Sequence, residues 1–260
     1  MVWFEIKTLE TVFPEVLGGY EKIRFKGFDF ESDHLFGQEA ADTFTILENG
    51  VTYEVFLNDG LMTGIFLDQH EVRDGLVNGL ALGKSVLNMF SYTAAFSVAA
   101  AMGGAVETTS VDLAKRSREL STAHFEANGF SMDNHRLVVM DVFDYFKYAK
   151  KKGLSYDLIV IDPPSFARNK KRTFSANKDY HKLIAQSLDI LSEHGTIIAS
   201  TNAANMTVQQ FKKQLRKGLG DVSADFVNLQ QLPADFTVNP NDPTSNYLKV
   251  YTIRVNKWKL

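Results

Sequence analysis

From about residue 85 onward, short β-rich runs alternate with amphipathic stretches of helical length. The clearest run, at residues 156–161, reads Tyr-Asp-Leu-Ile-Val-Ile and is almost continuously apolar. Strands carry such runs when helices cover both faces of a parallel sheet, because both sides of each strand are then buried. The alternation therefore predicts an α/β fold built on a mostly parallel sheet.

The boundaries of the predicted elements follow from apolar periodicity and from glycine stops. The predicted strands are residues 85–90, 105–112, 136–140, 156–161, 196–200, 224–229 and 247–255. The predicted helices are residues 93–102, 114–128, 142–152, 178–191 and 207–219. Because no helix separates the last two strands, we expect an antiparallel pair at that edge of the sheet.

Residues 1–60 have a different pattern, with β-rich runs at residues 21–27 and 43–57. Asn49-Gly50 interrupts the second run, and this dipeptide favours a tight hairpin turn because both positions accept positive φ. We therefore expect a small α+β appendage over residues 1–60, followed by the main domain at residues 61–260.

Composition excludes several classes of site. The 260 residues include no cysteine, so disulfides, thiolate metal sites and cysteine nucleophiles are excluded. The six histidines are scattered without ligand spacing, and we expect no metal. With a net charge of −3, any nucleic-acid site must be a local patch.

No apolar run reaches the roughly 20 residues of a membrane span and no signal peptide is visible, so we expect a cytoplasmic protein. A homodimer stays open.

The loops after the strands are where an open α/β sheet binds ligands. After the first predicted strand, the segment from Asn88 to Phe96 has small side chains at Ser91 and residues 93–95, which allow a cofactor to approach the turn closely. The Gly-x-Gly-x-x-Gly fingerprint of a nicotinamide dehydrogenase is missing there. A tight packing turn explains the same residues without a cofactor.

Acidic residues end the second and third predicted strands. Asp112 can accept hydrogen bonds from a ribose diol, and Asp141, followed by apolar Val142 and Phe143, suits the amine and flat ring of an adenine. Each aspartate also fits the start of a helix, where its carboxylate caps backbone amides. Because the three loops occur in the order and spacing that a bound adenosine requires, we favour a cofactor that contains adenosine.

The segment Asp162-Pro163-Pro164-Ser165-Phe166 follows the most apolar strand, at the expected switch point of the sheet. The two prolines fix φ and remove two backbone donors, which leaves rigid carbonyl acceptors at the strand end. A flat heteroaromatic amine needs such acceptors for its N–H groups and an aromatic ring on which to stack. We predict that Asp162, Pro163 and Phe166 hold the group that is modified, with a simple proline turn as the alternative.

The chain resembles class I S-adenosylmethionine-dependent methyltransferases, and in particular the bacterial 23S rRNA methyltransferases that include cytosine-C5 and guanine-N7 enzymes. The resemblance runs collinearly from about residue 45 to Tyr247-Leu248-Lys249. The stretches that carry it are Glu48-Asn49-Gly50, Thr63-Gly64-Ile65-Phe66-Leu67-Asp68-Gln69, Leu87-Asn88-Met89-Phe90-Ser91-Tyr92-Thr93, Ser110-Val111-Asp112 and Asp162-Pro163-Pro164-Ser165-Phe166-Ala167-Arg168.

This resemblance implies a Rossmann-like domain that binds S-adenosyl-L-methionine. The implied cofactor-binding residues are Asp68, Gln69 and Arg73 near the methionine end, Phe90, Ser91, Tyr92 and Thr93 along the centre, Asp112 at the ribose, and Asp141 with Val142 at the adenine. Asn88, Leu113 and Asp162 complete the predicted set. Asp162 and Pro163 are expected to face the target base.

Departures from the family pattern limit the chemistry. Met62, His70 and the pair Ala94-Ala95 stand where relatives usually have Lys, Arg and Gly-Gly, and the alanines narrow the cofactor loop. The cytosine-C5 members carry a nucleophilic Cys just after the fifth strand, where this chain reads Ala-Ser-Thr-Asn-Ala at residues 199–203. Carbon C5 needs a thiolate adding at C6, so a chain without cysteine is left with a base nitrogen or, second, an oxygen.

Arg168, Lys170, Lys171 and Arg172 follow the proline motif. A short charge run is usually a solvated loop, but beside a base pocket we predict that it binds phosphates of RNA, with 23S rRNA as the expected partner.

Two alternatives stay open for the function of the protein. One is a methyltransferase that acts on a small molecule or protein, which the net charge of −3 favours. The other is a catalytically weak RNA-associated module with an altered cofactor loop.

Overall fold

The computed structural model describes residues 2–23, 27, 29–58, 60–168 and 173–257. The chain forms two compact units, residues 1–66 and residues 67–260. The predicted division at residue 60 into an appendage and a methyltransferase domain stays a proposal. Among the described residues, no helix is both long enough and apolar enough to span a bilayer.

The described residues of the N-terminal unit form one helix and two antiparallel strand pairs. Its elements are α1 (Val2–Val12), β1 (Gly18–Lys22), β2 (Ser32–Gly37), β3 (Phe44–Glu48) and β4 (Val51–Val55). Strand β1 pairs with β2, and β3 pairs with β4. Asn49 and Gly50 have φ of 53° and 76°, so the predicted hairpin turn is confirmed. The run predicted at residues 21–27 starts earlier, at Gly18, and residues 24–26 lie outside the described residues.

The larger unit alternates strands with helices, as predicted. Its strands are β5 (Ser85–Met89), β6 (Glu107–Asp112), β7 (His135–Val139), β8 (Tyr156–Ile161), β9 (Phe166–Arg168), β10 (Thr173–Ser175), β11 (Leu191–Thr201), β12 (Ser223–Gln230) and β13 (Lys249–Asn256). Its α-helices are α2 (His70–Gly75), α3 (Ala95–Met102), α4 (Arg116–Ala127), α5 (Val142–Lys152), α6 (Ala176–Leu188) and α7 (Val208–Leu219). Short 3₁₀ turns lie at Leu67–Gln69, Met132–Asn134 and Pro243–Ser245, and a π turn at Leu76–Leu80.

The central sheet has the strand order β12-β13-β11-β8-β5-β6-β7. The pairs from β11 to β7 are parallel, whereas β13 is antiparallel to both β11 and β12. The predicted α/β sheet with an antiparallel C-terminal edge is therefore confirmed. The chain winds outward from β5 to β7 and then returns to β8, so the strand order reverses between β5 and β8. A ligand-binding crevice is expected at this switch point.

Alternate residues of the central strands enter two separate apolar cores. Val86, Leu158 and Ile198 pack with residues of α2 and α3 on one face. Leu87 and Ile159 pack with residues of α5, α6 and α7 on the other face. Burial on both sides explains why the β8 sequence is apolar at nearly every position.

Two sequence predictions need correction. The helix predicted at residues 178–191 is α6, Ala176–Leu188, and Leu191 already belongs to β11, where it pairs with Tyr156. Apolar Ile190 and Leu191 fit the period of a helix, but the buried sheet core takes them instead. The antiparallel ribbon of β9 and β10 was not predicted, because its strands have only three residues each.

The contact between α6 and α7 depends on Gly218. A Cβ atom at this position would lie 2.5 Å from Ile184 Cβ and 2.6 Å from the His181 carbonyl oxygen. Helix propensity alone would make Gly218→Ala stabilising by about 1 kcal/mol. We expect the opposite. The free energy of unfolding should fall by about 1–3 kcal/mol, because the backbone and Cβ atoms cannot move away without separating the helices.

Urea denaturation of the two glycine variants checks this expectation. Gly75→Ala is the matched control, since a Cβ at helical Gly75 would meet nothing within 4 Å. We expect Gly75→Ala to be neutral or stabilising by up to about 1 kcal/mol. A Gly218→Ala variant as stable as Gly75→Ala would show that the α6–α7 packing is looser than described.

Candidate active site

A polar cluster lies at the carboxyl ends of β8 and β11, beside the switch point of the sheet. Asp162 directly follows β8, and Ser200 lies near the end of neighbouring β11. Gln69 ends the 3₁₀ turn that leads into α2, and the same segment supplies Asp68 and Arg73. Three segments that are distant in sequence therefore meet at one sheet edge.

Gln69, Asp162 and Ser200 form a closed hydrogen-bonded triangle. The Gln69 Nε2 donates to Asp162 Oδ2 at 3.0 Å and to Ser200 Oγ at 3.0 Å. The Ser200 hydroxyl is hydrogen-bonded to the Asp162 carboxyl in turn. Because Gln69 and Ser200 are buried, their donors fix the orientation of the carboxyl group.

The environment of this cluster disfavours negative charge. The pKa of Asp162 is raised to about 6, chiefly by burial and also by the nearby charge of Asp68. The hydrogen bonds from Ser200 and Gln69 and the positive charge of Arg73 act in the opposite direction. Burial also raises the pKa of Asp68, against a hydrogen bond from Tyr247 and the attraction of Arg73. A carboxyl group with a pKa near 6 is suited to exchanging a proton near neutral pH.

Two buried amide oxygens in this region have no hydrogen-bond partner among the described residues. They are Gln69 Oε1 and Asn88 Oδ1. Asn88 lies in β5, and its Nδ2 donates to Ser97 Oγ at 3.0 Å, which leaves only the oxygen free. Buried acceptors without a donor are costly unless a ligand or water supplies one.

The loop after β5 has an unusual backbone. Phe90, Tyr92 and Ala94 all have positive φ, at 60°, 49° and 61°. Non-glycine residues in this region are strained and cluster at ligand-binding sites. The Tyr92 amide donates to Asp112 Oδ2 at 2.9 Å, so the carboxylate at the end of β6 helps to hold the loop.

Asp112 and Asp141 both bind backbone amides. The second oxygen of Asp112 accepts from the Ala114 amide at 2.9 Å. Asp141 caps α5 by accepting from the amides of Phe143 at 3.0 Å and Asp144 at 3.3 Å. The capping interpretation of Asp141 therefore holds, and its contact with an adenine remains a prediction. Each carboxylate oxygen has two lone pairs, so capping leaves capacity for a ligand.

The proline motif is fixed by its neighbours. The buried Tyr180 hydroxyl lies 2.8 Å from the Ile161 carbonyl oxygen and 2.9 Å from that of Ser200, and donates to this pair at the ends of β8 and β11. The Ser165 hydroxyl donates to Asn202 Oδ1 at 2.7 Å. Pro163 is buried, whereas the ring of Phe166 is 62% exposed. The motif therefore combines a fixed carboxyl group with an accessible aromatic surface.

The predicted site residues fall into separate groups. Asp68, Gln69, Arg73 and Asp162 form one cluster, whereas Ser91, Tyr92, Thr93 and Asp112 surround the strained loop. Val142 is buried in the core at the start of α5, and Leu113 is 54% exposed. Arg168 is exposed on β9 opposite Thr173. Lys170, Lys171 and Arg172 lie outside the described residues.

Sequence reasoning missed Ser200, Tyr180 and Tyr247 as parts of the site. Ser200 carries one visible signal, a hydroxyl at the end of an otherwise apolar strand. Tyr180 and Tyr247 carry none, because a tyrosine in an amphipathic helix or near a strand is usually a packing residue. Their roles come from long-range contacts with Ser200 and Asp68.

The hydrogen-bond acceptors of the cluster suit a positively charged ligand. Two carboxyl groups and the unpartnered Gln69 oxygen belong to it, and Arg73 supplies a buried cation. A ligand with an ammonium group and a positive sulfur would supply donors and positive charge to these acceptors. The methionine end of S-adenosylmethionine has both groups, so the residues present fit this cofactor.

Comparison with curated proteins finds relatives named for RNA modification. "Putative ribosomal RNA large subunit methyltransferase YwbD" of Bacillus subtilis (strain 168) is 45% identical over 240 residues, which cover 90% of this chain and 61% of the relative. "Ribosomal RNA large subunit methyltransferase K" of Neisseria meningitidis serogroup B is 36% identical over 200 residues, 76% of this chain and 54% of the relative. The chain thus spans roughly three fifths or less of the length of these relatives.

Solved structures of methyltransferases are also similar to this chain. "SMU.776, a putative methyltransferase complexed with SAH" is 68% identical, with a TM-score of 0.92 over 96% of this chain and 64% of that chain. The SAM-dependent methyltransferase of Agrobacterium tumefaciens is 20% identical over 90% of this chain and 76% of that chain, with a TM-score of 0.70, and supports the fold alone.

A family model described as S-adenosylmethionine-dependent methyltransferase matches residues 23–250. This match confirms the resemblance inferred from the sequence and the cofactor class that it implied. The chain belongs to the S-adenosylmethionine-dependent methyltransferase family.

Proposed function

We propose that this protein transfers a methyl group from S-adenosylmethionine to a nitrogen atom of a ribosomal RNA base. The observation that carries the proposal is the Asp162 carboxyl group, held by Gln69 and Ser200 at the end of β8 in a chain that has no cysteine. The names of the relatives support an RNA substrate over a small molecule or a protein.

The cofactor supplies a methyl group on a positively charged sulfur, which is already activated for transfer. The chain therefore mainly has to bind the cofactor and the acceptor, align them for transfer and exclude water. Asp68 and Gln69 Oε1 would bind the methionine end of the cofactor, and the strained loop at residues 90–94 would lie along its central part. Asp112 would accept from the ribose, and Asp141 with Val142 would contact the adenine.

Asp162 would hold the acceptor amine. Because Gln69 donates to Oδ2, the remaining lone pairs of the carboxylate can accept an N–H group of the base. The Pro163 carbonyl would accept a second N–H group, and Phe166 would stack on the ring for about 1–3 kcal/mol. With a pKa of about 6, the carboxylate can also take up the proton that the nitrogen loses on methylation.

Methylation at cytosine C5 is excluded by the same site. That reaction needs a thiolate to add at C6 before the carbon can accept a methyl group. The sequence contains no cysteine, and residues 199–203 after the main part of β11 offer Ser, Thr and Asn instead. A nitrogen lone pair needs no such activation, so alignment by Asp162 is sufficient.

Phosphate binding by the basic run beside the motif remains part of the proposal. Arg168 is exposed on β9, two residues after Phe166. A basic side chain next to a base pocket can bind the backbone of a single strand. Lys170, Lys171 and Arg172 are proposed to extend this contact.

Mass spectrometry of rRNA nucleosides from cells with and without the protein tests the proposed reaction. We expect one N-methylated nucleoside to disappear when the gene is deleted and to return when the wild-type chain is supplied. Supplying a chain with Asp162→Ala should not restore it. Loss of 5-methylcytidine, or an unchanged set of rRNA nucleosides, would contradict the proposal.

The raised pKa of Asp162 also predicts a pH-dependent effect on stability. Because the folded-state pKa of about 6 exceeds the ordinary 3.8, ionisation destabilises the fold. This cost develops as pH rises from about 4 to about 6 and is complete above 6. Asp162→Asn should therefore be more stable than wild type at pH 7 by up to about 3 kcal/mol, and the difference should vanish near pH 4.

Asp157→Asn is the matched control in the same strand. Burial alone would raise the pKa of Asp157, but hydrogen bonds from the Ser85 amide and hydroxyl lower it below its usual value. We expect this variant to be less stable than wild type at pH 7, with a deficit that shrinks as pH falls. Denaturant titrations at several pH values give the stability of each variant as a function of pH. Equal effects of the two substitutions would contradict the raised pKa of Asp162 and the lowered pKa of Asp157.

A further inference from the structure

A second cavity lies between α5, α6 and β10. Its volume is about 310 Å³, which is at the lower end of the range for small-ligand sites. Phe143 and Phe174 line it with two aromatic rings, called its apolar floor below, and Lys147 and Lys182 are further lining residues. We call this cavity the α5–α6 pocket. Of its lining residues, Phe143 follows the predicted adenine contacts Asp141 and Val142, and the others belong to no predicted cofactor or acceptor set.

The α5–α6 pocket adjoins the candidate active site. The ring of Phe174 lies 6.2 Å from the ring of Phe90 in the cofactor loop, measured between centroids. Thr173, also a lining residue, is the cross-strand partner of Arg168, and Ser175 is the partner of Phe166. The short β9–β10 ribbon therefore connects the acceptor motif on one side with the pocket on the other.

The charge of the α5–α6 pocket favours an anion. Lys182 pairs with Asp179 at 2.7 Å, whereas Lys147 is exposed and makes no ion pair with any described residue. Two lysines against one aspartate leave one net positive charge at the pocket. Gln186 adds both a donor and an acceptor.

These features together match one nucleotide of a single strand. An apolar floor suits the face of a base, Gln186 can bind a base edge, and Lys147 can bind a phosphate. A peptide or an apolar small molecule would use the floor but would not need the unpaired lysine. The ribbon places the pocket next to the position where the target base is proposed to bind.

We propose that the α5–α6 pocket binds a nucleotide of the RNA substrate that flanks the methylated base. This inference rests on the proposed function. Its consequence is that sequence or structure next to the target contributes to substrate choice, because the enzyme binds that nucleotide as well as the base that it methylates.

Binding of a fluorescein-labelled single-stranded oligoribonucleotide to the full chain tests the pocket. Lys147→Ala should weaken binding about five- to tenfold and reduce the log–log salt slope by about 0.7, because one phosphate contact is lost. Lys152→Ala is the matched control, since Lys152 is exposed on the same helix, about 140° around its axis from Lys147. Its affinity should stay within about twofold of wild type.

A cavity-filling variant provides an independent check. Gln186→Trp occupies the α5–α6 pocket without changing charge, and should weaken RNA binding while leaving the salt slope and the affinity for S-adenosylmethionine unchanged. Thermal melts and calorimetry with the cofactor establish that each variant is folded.

The outcomes separate this proposal from the proposed function. If the wild type binds and methylates RNA, but Lys147→Ala and Gln186→Trp behave like Lys152→Ala, the flanking-nucleotide site is wrong and the function stands. A Lys147→Ala variant that loses affinity with no change of slope also rejects the phosphate contact, because only the loss of a non-ionic contact with the RNA would leave the slope unchanged. A wild type that binds the cofactor but no RNA rejects both proposals.

Discussion

The hydrogen bonds of Gln69 connect parts of the site that are distant in sequence. One amide nitrogen reaches the carboxyl group after β8 and the hydroxyl in β11, both at 3.0 Å. A buried carboxylate is unfavourable unless donors surround it, so these bonds and that from Ser200 allow Asp162 to ionise at all. Burial still outweighs them, which is why the pKa of Asp162 lies near 6 rather than at its usual value.

The sheet provides the geometry on which that cluster depends. Strands β8 and β11 are parallel neighbours with Ala199 opposite Ile161, so the residues that follow them lie side by side. Tyr180 then binds the carbonyl groups of Ile161 and Ser200, at the point where the ladder ends. The single hydroxyl proton is shared between the two carbonyl oxygens, so Tyr180 holds the ends of both strands at one point. The proposed acceptor site is thus held in place by residues of the core.

Local sequence signals predicted most of the fold and only part of the site. Strand β8 and helix α5 have the predicted bounds, because a continuous apolar run and the Asp141 and Gly153 ends are local features. The junction of α6 and β11 was misplaced, since Ile190 and Leu191 suit either element and the sheet core decides between them. Asp162 could be identified from its position after a buried strand. Ser200 and Tyr180 could not, because their partners are 19 or more residues away.

We therefore propose that Asp162 binds the methyl acceptor, with the cofactor held mainly by other residues. Single-turnover methyl transfer by Asp162→Ala, at saturating S-adenosylmethionine and with cofactor affinity measured by calorimetry on the same protein, tests this assignment most directly. The account predicts a rate lower by about two to four orders of magnitude, with a cofactor Kd within a few-fold of wild type. An unchanged rate, or a large loss of cofactor binding, would contradict it and place Asp162 in the cofactor pocket instead.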